Sequence, residues 1–251
     1  GAIPREQWDS YPLRVERNMD TVLGIFDRAG VRGTFFILGW VTERMPHLVR
    51  RIAEAGHEVA SHGWSHAPVW KLTPEAFRSE VSRSRKLLED VSGQAVLGYR
   101  APTFSVITST LWALDILAEE GYRYDSSIFP VWHDAYGIPD APLTIHRHSN
   151  GLWELPMSVL EFRNARLPVA GGGYFRLYPR TITEWAIRRI NQAGRPTVIY
   201  LHPWEFDPDQ PKPSGVSTAK LLRHRIGLQR TGARLARVME RFRFAPAQIG
   251  T

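Results

Sequence analysis

Five times along the chain a helical apolar stripe runs into a glycine and then into a short β-rich run, and this alternation constrains the fold more than any other feature. Met19, Val22, Leu23 and Phe26 line the first helix, which stops at Gly30 before Thr34-Phe35-Phe36-Ile37-Leu38. Leu48, Val49 and Ile52 line the second, stopped by Gly56 and followed by His57-Glu58-Val59-Ala60-Ser61. A third opens with Thr73 as N-cap and Pro74 at its first position, buries Phe77, Val81 and Leu88, and ends at Gly93 before Ala95-Val96-Leu97-Gly98-Tyr99. Leu111, Leu114 and Leu117 form the fourth, then Gly121 and Tyr122-Arg123-Tyr124. Trp185, Ile187 and Ile190 form the fifth, then Gly194 and a strand at Pro196-Thr197-Val198-Ile199-Tyr200-Leu201.

Helices alternating with short apolar strands predict parallel strands joined by helical crossovers, in a doubly wound sheet or a barrel. One α/β domain over residues 1–251 is the simplest organisation, with residues 17–127 as one half and 128–251 as the other. Residues 127–179 break the rhythm with Pro, Gly and aromatics around one strand at 152–160, and are expected to be an insertion that shapes a site. Gly171-Gly172-Gly173-Tyr174 within it is either a ligand cradle or a flexible surface turn.

In a parallel sheet a site collects where the C-terminal ends of strands meet the following loops. Those ends carry His62 and His66, Arg100, Asp125 and His202. The chain has no Cys, so disulfides and thiolate chemistry are excluded and any metal must be held by His and carboxylates. Two imidazoles four residues apart, in Ser61-His62-Gly63-Trp64-Ser65-His66, can face one borderline cation such as zinc; taken alone, such a pair is more often exposed or in a core. Arg100 either clamps an anion or forms a structural ion pair. Asp125 either orients an imidazole or caps a turn. His202, in Leu201-His202-Pro203-Trp204-Glu205, is a partly buried imidazole beside an acid, the makeup of a general acid.

Together these residues resemble the polysaccharide deacetylase family, metal-dependent carbohydrate esterases that remove N-acetyl groups from chitin-like glycans. The match runs in order through Thr34-Phe35-Phe36, His62 to His66, Arg100-Ala101-Pro102, Asp125-Ser126 and Leu201-His202-Pro203. Trp153-Glu154-Leu155-Pro156 and residues 171–176 are similar to the bacterial branch associated with exosortase and exopolysaccharide loci. The resemblance implies a distorted seven-stranded (β/α) barrel and a divalent metal, usually zinc, on His62, His66 and an Asp. It implies His202 as the acid that protonates the departing amine, Asp125 tuning it, and Arg100 orienting a carboxylate base. Pro102 and Leu201 would line the substrate site with Trp64, Tyr174 and Trp204, whose rings suit sugar faces. The family's first acidic motif has no counterpart here: Glu6, Asp9 and Glu16 follow no apolar strand, so the first strand and its acids are expected upstream of Gly1.

Two other readings compete with the enzyme: a carbohydrate-binding relative that keeps the aromatics without catalysis, and a hydrolase of another non-peptide amide such as a ureide. The formal charge of +7 first suggests a nucleic-acid partner, but all of it lies between residues 220 and 243, where eight basic residues face one acid. There Leu235, Val238, Met239 and Phe242 form one helical stripe and Arg230, Arg234, Arg237 and Arg241 the other. A packed helix with a solvated basic face is expected, with contact to an anionic polymer or membrane surface as the alternative and no nucleic acid. The first residues form neither a signal peptide nor a span, which favours a cytoplasmic or membrane-peripheral location.

Overall fold

In chain order the helices and strands are α1 (Val15–Ala29), β1 (Thr34–Ile37), α2 (Gly39–Arg44), α3 (Pro46–Glu54), β2 (Glu58–Ser61), α4 (Pro74–Ser92), β3 (Gly98–Tyr99), α5 (Trp112–Glu119) and β4 (Tyr124–Asp125). There follow β5 (His146–Arg147), β6 (Trp153–Glu154), β7 (Val159–Phe162), β8 (Ala165–Pro168), α6 (Gly172–Leu177), α7 (Arg180–Gln192), α8 (Thr218–Arg225) and α9 (Thr231–Arg241). The computed structural model describes residues 13–133, 136–162, 165–169, 171–211 and 218–249; Glu6 and Asp9, and the side chains of Lys220 and Arg223, lie outside the described ones.

Local signals set the helix boundaries. Gly30 and Gly93 end α1 and α4 in the left-handed conformation, at φ 62° and 67°, where a side chain would be strained. The Thr73 hydroxyl accepts from the Ala76 amide at 3.2 Å, which satisfies one orphan donor of α4, and Pro74 occupies a position that needs no N–H.

The contacts gather into two compact units. Arg32–Pro168 with Arg189–Val198 and Phe244–Thr251 form the sheet unit. Its six strands run in the order β1-β2-β3-β4-β6-β5, parallel from β1 to β6 with β5 antiparallel at the edge, while β7 and β8 form a separate hairpin. The α/β fold with a parallel sheet is thus as expected, and among the described residues the sheet is open rather than closed on itself. Val59, Ala60, Phe77, Val81, Leu88, Tyr99 and Tyr124 are buried, with the Phe77 and Tyr99 rings meeting edge to face at 5.8 Å. Leu111, just before α5, is 40% exposed, while Ile116 on α5 is buried.

The second unit holds Gly1–Val31, Val169–Arg188 and Ile199–Arg243. Met19, Val22 and Ile25 of α1 and Leu235, Val238 and Met239 of α9 are buried there, and the two helices pack together. The stripe on α9 is as predicted, but its basic face is only partly solvated: Arg241 pairs with buried Glu184 at 2.7 Å, and Arg234 lies over the Phe175 ring. The predicted strand at 196–201 is not a strand. Tyr200 makes a single bridge to Gly171, and within the sheet unit the Val198 amide is taken by the Ser158 hydroxyl at 2.7 Å.

Candidate active site

Within the sheet unit the C-terminal strand ends line up through the register Ser61↔Tyr99↔Asp125↔Glu154. The parallel ladder continues one step further, from His62 N to Ile37 O, Arg100 N to Ser61 O and Ser126 N to Tyr99 O. Neighbouring strands therefore deliver His62, Arg100, Asp125 and Glu154 to one edge, as parallel-sheet geometry dictates.

The His62 ring nitrogen Nδ1 lies 2.6 Å from the Arg100 carbonyl oxygen. A carbonyl only accepts, so Nδ1 carries the proton and the lone pair sits on Nε2, the tautomer that suits a metal ligand. The His66 ring stands edge-on at 5.2 Å. Helix α4 fixes the loop between them: Glu80 accepts from the Trp64 amide at 3.1 Å, the Ser65 amide at 3.1 Å and the Ser65 hydroxyl. The donor set and its supporting carbonyl fit a divalent ion held by two imidazoles. Among the described residues no third His, Asp or Glu joins them.

Arg100 is buried, donating to the Ser126 carbonyl at 2.9 Å and the Ser126 hydroxyl at 2.6 Å, with its guanidinium 4.1 Å from the centre of the Phe36 ring. Pro102 is buried and opens a short turn in which Thr103 and Phe104 sit at φ 54° and 52°, a strained backbone beside the site. Trp64 departs from expectation. It is 6% exposed, fills the space left by the missing side chain of Gly39, and has the Arg83 guanidinium 3.4 Å over its ring, so it packs rather than presenting a face to a sugar.

Asp125 accepts from the Ser127 hydroxyl at 2.6 Å and amide at 3.0 Å. The sequence does not single out its other neighbour, Glu154, whose Oε1 accepts from the Ile128 amide at 3.1 Å. Both carboxyls are fully buried. Burial and then the neighbouring Glu154 push the Asp125 carboxyl well above its usual range, and burial lifts Glu154 to about 8. Two acids packed this way retain a proton at neutral pH.

In the other unit, Oε1 of Glu205 accepts from His202 Nδ1 at 2.9 Å and from the His202 amide at 3.0 Å. Glu205 thus holds the His202 ring through Nδ1. Burial pushes the Glu205 carboxyl up, but the bonds from His202 and the Arg176 guanidinium, 2.8 Å from Oε2, outweigh it and hold the group below the usual range. The imidazole itself is 47% exposed and stacks on Trp204 at 5.7 Å, while Trp204 stacks on His224 at 4.2 Å. Leu201 and Tyr174 are half-buried. The glycine run is not a loose turn. Gly172 begins α6 against the Glu205 carboxylate and Gly171 lies against the Tyr200 ring, each where a Cβ would collide.

Residues 7–124 match the family model described as polysaccharide deacetylase, and residues 126–249 match a domain of unknown function (DUF3473). A peptidoglycan deacetylase of Helicobacter pylori is 31% identical over 115 residues, 45% of this chain and 38% of the relative. The chain spans about a third of the length of the curated relatives it matches. In fold it is similar to the crystal structure of a putative polysaccharide deacetylase from Mycobacterium smegmatis, with TM-score 0.52 and 24% identity over 93% of this chain and 80% of that one. It is also similar to Puue allantoinase, with TM-score 0.59 and 18% identity over 91% and 67%.

Proposed function

The chain belongs, through residues 7–124, to the polysaccharide deacetylase family, and on that premise we propose that the protein hydrolyses the N-acetyl groups of a glycan, releasing acetate and leaving a free amine. The observation that carries the reading is the His62 tautomer, fixed by the Arg100 carbonyl beside the His66 ring at the ends of parallel strands. His62 and His66 are the residues that would hold a divalent metal, with zinc suited to imidazole donors. A bound ion of this kind supplies Lewis acidity and an acidified water.

The remaining roles belong to this chain's own side chains. His202 gives the Nε2 proton to the sugar nitrogen as the C–N bond breaks, its ring held through Nδ1 by Glu205. Arg100 and Asp125 keep the loops after β3 and β4 in place through Ser126 and Ser127. Trp204 and Tyr174 offer aromatic rings to the sugar.

General acid catalysis matters most for a poor leaving group. His202→Ala is therefore expected to slow acetate release from N-acetylated oligosaccharides by roughly 10²–10⁴-fold while an activated acetate ester is hydrolysed nearly as before. Equal losses on both substrates would remove His202 from the proton-donor role.

A further inference from the structure

Five arginines, Arg176, Arg180, Arg225, Arg230 and Arg234, line a cavity of about 720 Å³ in the second unit, and among the described residues no acidic side chain lines it. Two of the five are compensated from outside the cavity, Arg176 by Glu205 at 2.8 Å and Arg180 by Glu184 at 3.3 Å. Glu184 is already shared with Arg188 and Arg241. Arg225 donates only to the carbonyls of Gln210 and Pro208, and Arg234 to the Arg176 carbonyl and the Thr183 hydroxyl. Among the described residues no carboxylate pairs with Arg225, Arg230 or Arg234.

Gathering like charges around one cavity costs free energy unless something of opposite sign enters it. The cost is visible at Arg234: burial, then the nearby Arg180 charge, lowers the affinity of its guanidinium for its proton. Its Nε is sealed from solvent and finds no acceptor. Helix α7 begins at the lining residue Arg180, and α9 begins at Thr231, next to the lining residue Arg230, so their N–H ends add partial positive charge.

We propose that this cavity binds a diphosphate-bearing ligand. Three uncompensated guanidiniums in one small space match the two to three negative charges of a diphosphate, which a single uronate carboxylate does not supply. The volume lies within the range of small-molecule sites and leaves room for a sugar or nucleoside on the diphosphate. A soluble nucleoside diphosphate and a lipid-linked diphosphate share this chemistry. Arg176 joins the cavity to the candidate acid, since its Nε holds Oε2 of Glu205 and Oε1 holds His202. The proposal rests on the cavity alone and stands whether or not acetate is released.

Isothermal titration of the full chain with inorganic pyrophosphate at low salt is expected to show saturable one-to-one binding. Arg230→Glu, at an exposed position, should weaken it at least tenfold with an unchanged melting temperature, and Arg180→Gln should also weaken it. Uridine diphosphate and vesicles doped with a polyprenyl diphosphate serve as further arms, and the tighter of the two identifies the source. No saturable binding, binding indifferent to both variants, or tighter binding of trigalacturonate than of pyrophosphate would overturn the proposal.

Discussion

Glu205, sealed from solvent three residues after His202, holds that imidazole through Nδ1 at 2.9 Å while its second oxygen takes Arg176 at 2.8 Å. Removing one partner of a buried ion pair strands the other charge. Glu205→Gln is thus predicted to cost about 3 kcal/mol of stability in urea unfolding, with a loss of turnover larger than any change in KM. A cost within about 0.5 kcal/mol, the size of an ordinary surface substitution, would mean that the pair is not the strut it looks to be.

Gly172 is the counterpart of that strut, because any side chain there runs into the same carboxylate. Gly172→Ala should destabilise the protein by about 1–3 kcal/mol, the usual penalty for overpacking. The double variant with Glu205→Ala should cost less than the two single costs combined, since the clash disappears with the carboxylate. Simple additivity in thermal or urea unfolding would contradict the close approach.

The buried acids predict an unusual dependence on pH. Glu154 has its folded-state pKa raised to about 8, so the folded protein keeps a proton that the unfolded chain releases near 4.5. Its contribution to stability is therefore greatest below the unfolded value and is lost as pH rises from about 4.5 to 8. Glu154→Gln keeps the acceptor for the Ile128 amide and removes the titration. The stability of this variant relative to wild type should rise across that window by up to a few kcal/mol, and a flat or falling difference between pH 5 and 8 would refute the assignment. Using the difference sets aside His57 and His224, whose pKa values burial lowers, but not His148, whose Nε2 lies 3.7 Å from Glu154 Oε2.

What could be read in the sequence was what short range decides. Thr73, Pro74 and Gly93 delimit α4 because a cap acts on its own turn, and His202 meets Glu205 because three residues separate them. The strand ends carrying His62, Arg100 and Asp125 followed from alternating helices and strands. Long-range partners left no such trace. Glu154 reaches Asp125 only because β6 lies beside β4, and Gly172 matters only because Glu205, 33 positions later, needs its space. Trp64 looked like a sugar platform until Gly39 and Arg83 enclosed it. The run at 196–201 has the composition of a strand, but its Val198 amide bonds a serine hydroxyl instead of a neighbouring strand.

The central claim is tested most directly by measuring acetate released from N-acetylglucosamine oligomers by the protein, before and after chelation and after zinc is restored. Release that stops with the chelator, returns with zinc, and is lost together with bound metal in a His62→Ala, His66→Ala variant is the predicted result. Oligomers that bind but yield no acetate with any divalent ion would contradict it and leave a glycan-binding protein in its place.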